Sequence, residues 1–115
     1  MQSQNYQEII QTLLDCSSTC EQCVVACISG TYPQKMDRCI KLSRDCKDIC
    51  GLLAKFLSRN SQIANQMVVV CEELCRLCAE ECKKNSQLKH CKECAEACLR
   101  CAETCKLQLE EAVQY

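Results

Sequence analysis

Sixteen of the 115 residues are cysteine, and their spacing is the most informative feature of the sequence. Thiolates are preferred ligands of soft metal ions, so a dense and regular series of thiols predicts metal binding. In the second half of the chain the steps between cysteines alternate between three and four residues, apart from one longer gap. These predicted ligands are Cys71, Cys75, Cys78, Cys82, Cys91, Cys94, Cys98, Cys101 and Cys105.

The first half of the chain repeats the pattern. The motif C-x3-C-x2-C-x3-C starts at Cys16 and again at Cys71, so the chain reads as two copies of one hairpin. Residues three and four apart share one face of an α-helix, and strict 3/4 alternation is the inward seam of a helical bundle. Ser43 occupies one seam slot. The ligands predicted in this half are Cys16, Cys20, Cys23, Cys27, Cys39, Cys46 and Cys50.

The elements that position these thiols are predicted to be four helices. Two Gly, one Pro and few aromatic residues leave little material for strands. We expect a first helix over about 4–29, which Gly30 ends, and a second helix that starts from a cap at Thr31 and runs to about residue 58. The third helix is expected over about 62–84 and the fourth over about 88–112. Short connections favour antiparallel neighbours. The fold class is therefore all-α, an antiparallel up-down-up-down four-helix bundle with a cysteine-lined core, as one domain over residues 1–115.

The cysteines should gather at one end of this bundle. They fall late in the first and third predicted helices and start early in the second and fourth. We therefore expect one long stack of all sixteen cysteine side chains, the thiol column, with Cys105 reaching furthest from the turns at 30–33 and 85–87. Gly51, inside the second helix, suggests close approach of a backbone or of metal. The opposite end should be apolar, formed by Ile9, Leu13, Leu53, Phe56, Leu57, Ile63, Met67, Leu107 and Leu109.

Packing and disulfides are the non-metal explanations for so many cysteines. Cysteine packs as a small hydrophobe, but replacing a dozen leucine-sized residues would cost more than the roughly 5–15 kcal/mol stability of a domain, even if small alanines let the helices approach. Within a helix, Cβ atoms three or four residues apart are about 5–6 Å from each other, too far for an unstrained disulfide. Disulfides between helices remain possible in an oxidising compartment.

Among metals, Cu(I) fits the sequence best. Zinc motifs place C-x2-C in turns, and about four zinc ions among sixteen thiolates would leave a strongly negative core. Iron–sulfur motifs wrap a loop around the cluster, and the sequence has no such loop. Cu(I) is soft, accepts two or three thiolates and carries one charge, so about one ion per bridging thiolate neutralises the column. A zinc-thiolate regulatory or buffering protein and an iron–sulfur electron carrier remain the alternatives.

Three segments carry a resemblance to a known family: residues 39–50, the helix-three cysteine motif from Cys71, and residues 90–105. Together they resemble the bacterial cytosolic copper storage proteins, a cysteine-rich four-helix-bundle family, over nearly the whole chain. The resemblance implies a core filled with many Cu(I) ions, metal entry at one end and assembly as homotetramers. It also implies a histidine at the mouth near the start of the last helix, a position that His90 matches. Met36, at the same end, is a further predicted ligand through its thioether.

Several function classes are disfavoured. A net charge of −1 with 25% charged residues offers no basic surface for nucleic acid. The stretch 1–8 has neither a basic n-region nor an apolar run behind it, so we expect no secretion signal, no membrane segment and a cytoplasmic location. No catalytic base or nucleophile accompanies the thiols, which predicts a store and not an enzyme. The expected partners are copper ions, a copper-delivering chaperone or chelator, and further copies of the chain.

Overall fold

A computed structural model describes residues 6–113, and the part of the chain that it describes is almost entirely helical. Four α-helices follow one another: α1 Gln7–Ile28, α2 Asp37–Ser58, α3 Ala64–Lys83 and α4 Lys89–Val113. A 3-10 turn, Pro33–Met36, precedes α2. The four predicted helices are therefore confirmed. The predicted start of the first helix near residue 4 lies outside the described residues.

Each helix packs against two others. The contacts join α1 to α2, α2 to α3, α3 to α4 and α4 back to α1, which places the helices at the corners of a square. Sulfur contacts run in opposite order along neighbours: Cys39 on α2 meets Cys82 on α3, and Cys50 meets Cys71. This order is expected of antiparallel neighbours, and the four helices together form the bundle that the sequence predicts.

The connection between α1 and α2 is longer than the sequence suggested. The α1 helix ends at Ile28, two residues before Gly30, whose N–H donates to the Cys27 carbonyl at 3.3 Å. The predicted cap at Thr31 is wrong, because the 3-10 turn intervenes and Met36 is the residue that precedes α2. Proline with φ fixed near −65° is suited to the first position of such a turn.

The connection between α2 and α3 contains the one described non-glycine residue with a positive φ, Asn60 at 53°. Asparagine tolerates this left-handed conformation better than most residues. The N–H of Ser61 donates to the Phe56 carbonyl at 2.9 Å, so the chain reverses tightly, and α3 begins at Ala64, two residues later than predicted.

The core confirms most of the predicted inner faces. All sixteen cysteines are at most 2% exposed, and beyond them lie the buried Ile9, Leu13, Leu53, Leu57 and Val68. Two residues that were predicted at the apolar end do not join its buried core, because Ile63 is 50% exposed and Leu107 is 58% exposed. After Cys105 the seam passes through Gln108, which is 8% exposed, so Leu107 falls on the outer face of α4.

Gly51 has a different neighbour from the one expected. A Cβ built on this residue would meet the Ser17 hydroxyl oxygen of α1 at 3.8 Å, an ordinary van der Waals distance. The expectation that Gly51 allows close approach of a backbone or of metal is therefore wrong. Among residues 6–113, no helix combines the length and the apolar character needed to cross a membrane.

Candidate metal centre

The four helices bring all sixteen cysteines to the bundle axis as free thiols. Each helix contributes its 3/4 seam, and the seam is the face that turns away from water in an antiparallel bundle. Every predicted cysteine ligand therefore lies in one buried region. Small buried residues on α3 and α4, including Ala79, Ala97 and Ala102, let the helices approach closely enough for sulfurs on different helices to meet.

The distances between sulfurs suit metal binding and not covalent pairing. Cys39 Sγ lies 3.5 Å from Cys82 Sγ, and Cys46 Sγ lies 3.5 Å from Cys75 Sγ. Pairs four residues apart on one helix, such as Cys23 and Cys27, are 4.0 Å apart. A disulfide bond requires about 2.0 Å between sulfurs. The thiols are thus close enough to share ions while remaining reduced.

Most of these thiols form tetrads in which the four sulfurs lie within 4.8 Å of one another. The tetrads share members: one pair has Cys16 and Cys46 in common, another Cys20 and Cys98, and a third Cys50 and Cys75. Such sharing calls for bridging thiolates. The overlapping tetrads are Cys20–Cys78–Cys94–Cys98, Cys16–Cys20–Cys46–Cys98, Cys16–Cys46–Cys50–Cys75 and Cys50–Cys71–Cys75–Cys101.

A further tetrad lies at the end of the bundle formed by the turns 29–36 and 84–88, which we call the mouth. This mouth tetrad consists of Cys23, Cys27, Cys39 and Cys91. Cys82 joins it to the overlapping tetrads, because its sulfur lies 3.5 Å from Cys39 and 4.0 Å from Cys78. At the opposite end Cys105 lies beside Cys101 and Cys71. The predicted long thiol column is therefore continuous from Cys27 to Cys105.

The column contains no compensating positive charge. Within residues 6–113 the only buried polar side chains are those of Ser43 and Gln108. Burial raises the pKa of the Cys27 thiol to about 11 and also raises the pKa of Cys91. Taking a thiol out of water penalises its charged form, so these mouth thiols are neutral at pH 7 in the metal-free protein.

His90 and Met36 lie at the mouth, as predicted. They line a cavity of about 390 Å³ together with Cys27. The Nε2 atom of His90 is buried and has no hydrogen-bond partner among the described residues. Met36 is only 9% exposed and packs against the core. Met36, Cys27 and His90 thus line the same cavity, and His90 has a buried ring nitrogen without a hydrogen-bond partner among the described residues.

Sequence reasoning did not identify the other side chains of the mouth. Tyr32 and Lys35 line the same cavity, and the Lys35 ammonium lies 4.7 Å from the centre of the Tyr32 ring. Asn85 and Gln87 border it from the other turn. The sequence does contain a signal for them: both turns are predicted to lie at the thiol-rich end, which makes every residue of these turns a candidate.

Known proteins that resemble this chain also point to copper binding. A family model described as copper storage protein matches residues 2–110. An uncharacterized cysteine-rich protein of Bacillus subtilis is 34% identical over 86 residues, which covers 75% of this chain and 79% of that protein.

Two solved structures are also similar. The first, a Cu(I)-bound copper storage protein, is 33% identical with a TM-score of 0.85, and the match covers 90% of this chain and 96% of that one. The second is a cytosolic copper storage protein from Streptomyces lividans with five coppers. It is 31% identical with a TM-score of 0.85 over 89% of each chain.

Proposed function

The chain belongs to the copper storage protein family, and on that premise we propose that it stores or buffers copper in the cytosol by binding many Cu(I) ions along the thiol column. The observation that carries the proposal is the sharing of sulfurs between successive tetrads, for example Cys16 and Cys46. Shared thiolates bridge neighbouring ions, and Cu(I) is a soft ion that accepts two or three thiolates. The sixteen cysteines, with Met36 and His90 at the mouth, are the proposed ligands.

Charge, and not distance, favours Cu(I) over zinc. With Zn–S bonds of about 2.3 Å, a tetrahedral zinc site needs sulfurs about 3.8 Å apart. The sulfurs of Cys50 and Cys71 are 3.8 Å apart, so spacing alone admits either metal. Four zinc ions among sixteen thiolates would leave about eight uncompensated negative charges in a core where none of the described residues buries a basic side chain. One Cu(I) ion per thiolate would leave almost no uncompensated charge.

Entry of copper is proposed at the mouth. The His90 Nε2 atom has no competing hydrogen bond within residues 6–113, and the Met36 thioether is a soft ligand suited to Cu(I). The residues His90 and Met36 line the same cavity as Cys27. Copper bound there would pass to the mouth tetrad by exchanging its nitrogen and thioether ligands for thiolates, beginning with that of Cys27. A copper-delivering chaperone or chelator is the proposed partner, and the function is binding and not catalysis.

Association of several copies of the chain, as a homotetramer, is also proposed. Neighbouring apolar side chains on the outside of α3 support it, since Val69 is 53% exposed and Val70 49% exposed. Apolar surface of this kind is typical of association surfaces when it is contiguous. The location is proposed to be cytosolic because the Streptomyces relative is described as cytosolic.

The proposed function is tested by titrating reduced, anaerobic protein with Cu(I) in competition with a chromophoric Cu(I) chelator. We expect about one ion per thiol, or about sixteen per chain, before the chelator retains copper. A parallel titration with zinc is the control, in which the protein should saturate at about four ions. Saturation with only two or three Cu(I) ions would refute copper storage, and tighter zinc binding at about four ions would favour the zinc-thiolate alternative.

A further inference from the structure

Ser43 places a hydroxyl group inside the thiol column. Its side chain is 0% exposed, on α2 between Cys39 and Cys46. The Ser43 Oγ atom lies 3.6 Å from the sulfur of Cys78, 3.8 Å from that of Cys94 and 3.9 Å from that of Cys82. Three thiols and one hydroxyl therefore meet at this level of the column, where the seam spacing would otherwise place a fourth thiol.

Other helical hydroxyls in this protein make a different contact. The hydroxyl groups of Thr12, Thr19, Ser58 and Thr104 each donate to the carbonyl four residues earlier, at 2.7–2.9 Å. That bond is the usual way for a serine or threonine inside a helix to satisfy its hydroxyl. Among residues 6–113, the groups within hydrogen-bonding distance of the Ser43 hydroxyl are instead all sulfurs, on the neighbouring helix α3 and on α4, which lies diagonally across the bundle from α2.

The level of Ser43 is where the mouth tetrad joins the rest of the column. Cys82, which Ser43 contacts, is the thiol that links Cys39 of the mouth tetrad to Cys78. Cys78 and Cys94 belong to the first of the overlapping tetrads. Copper that moves inward from the mouth must therefore be bound at the thiols around Ser43.

Beside copper-bound thiolates, the Ser43 hydroxyl is suited to donate a hydrogen bond to sulfur and is poorly suited to bind the ion. Cu(I) selects thiolates over neutral oxygen ligands, and the three sulfurs beside Ser43 already supply the two or three that the ion accepts. A thiolate bound to Cu(I) keeps negative charge and accepts hydrogen bonds, which are stronger when the acceptor is charged. No basic side chain is buried among the described residues to take that role.

We propose that Ser43 donates its one hydroxyl hydrogen to a copper-bound thiolate, one at a time among those of Cys78, Cys82 and Cys94, that it does not itself bind copper, and that it stabilises copper where the mouth joins the inner column. This inference rests on the proposed function. Because Ser43 replaces a thiol, the column holds one ion fewer than an unbroken seam would hold.

Two substitutions test separately the role of Ser43 as a hydrogen-bond donor and its effect on the number of bound ions. Ser43→Ala removes the donor and leaves all thiols in place, so the number of bound ions should not change. The ions at this level should pass to the chelator about 10- to 100-fold more readily, the value of a hydrogen bond to a charged group. Ser43→Cys supplies the missing thiol and should add about one Cu(I) per chain. Ser17→Ala is the matched control, because Ser17 donates to the Lys47 carbonyl at 3.0 Å and contacts no thiol.

The readouts are the chelator competition curve and the copper content of each variant at saturation, measured beside the unsubstituted protein. The inference is supported if Ser43→Ala weakens the binding of some of the ions while the total number of bound ions stays the same, and if Ser43→Cys raises that total number. It is overturned if Ser43→Ala follows the Ser17→Ala curve, if it loses an ion, or if Ser43→Cys gains none. Failure of the unsubstituted protein to bind many ions is a different result and refutes the proposed function itself.

Discussion

At the scale of single residues, the cysteines carry both the packing and the chemistry of the molecule. A thiol packs as a small apolar group while it is protonated and becomes a metal ligand when it loses the proton. The side chain of Cys46 illustrates both roles: it is fully buried, and its sulfur lies within 4.0 Å of those of Cys16, Cys50, Cys75 and Cys98. Binding of Cu(I) must therefore release protons from the core.

The raised pKa values at the mouth predict how the stability of the metal-free protein depends on pH. The pKa of Cys27 rises from 9.0 to about 11 on burial, so the folded state binds this proton more tightly than the unfolded state. Its contribution to stability is complete below pH 9 and is lost as the pH rises towards about 11. Urea unfolding of the reduced protein between neutral pH and pH 11 should show this loss.

Two controls accompany the pH measurement. Copper-loaded protein should show a smaller loss, because its bound thiolates carry no proton to release. The variant Cys27→Ala should also show a smaller loss than the unsubstituted metal-free protein. A free energy of unfolding that stays constant or increases across this range would contradict the neutral, buried state of the Cys27 thiol.

At the scale of the helices, Gly51 is a weak point in α2 that the fold does not require. A Cβ at this position would meet only the Ser17 hydroxyl, at 3.8 Å, and φ is not positive at either glycine. Glycine inside a helix costs about 1 kcal/mol relative to alanine. The α2 helix should therefore accept alanine without rearrangement.

We predict that Gly51→Ala raises the free energy of unfolding of the metal-free protein by about 0.5–1 kcal/mol. The measurement is the midpoint of thermal or urea unfolding monitored by circular dichroism. Gly30→Ala is the matched control: Gly30 lies outside the α-helices, and we expect its substitution to change stability by less than about 0.5 kcal/mol. Destabilisation by Gly51→Ala would mean that α1 and α2 lie closer together than the structure shows.

The helices and their inward faces were predictable because the 3/4 spacing of cysteine admits one inward face for each helix. The same spacing predicted that Cys39 and Cys82, far apart in sequence, lie at one end. The 3-10 turn at Pro33–Met36 was not predictable, since such a turn depends on packing at the mouth. The exposure of Leu107 was also missed, because the seam after Cys105 passes through polar Gln108.

At the scale of the whole molecule, the bundle is a long and narrow container. Its principal extents are 54 × 21 × 18 Å, and the thiol column follows the long axis between the mouth and the apolar residues near Leu13 and Leu53. The apolar end stabilises the fold without metal, and binding of copper to the folded state alone adds to that stability by mass action. Storage therefore depends on the thiol column, whereas the metal-free fold is stabilised by the packing of that column together with the apolar end.

The most direct test of the account is a crystal structure of anaerobically loaded protein with copper located by anomalous scattering. We expect copper ions along the bundle axis from the mouth tetrad to Cys101 and Cys105, bound to sulfur and numbering about one per thiol. Copper found only at His90 or at surface carboxylates, or an axis of cysteines joined as disulfides, would contradict it.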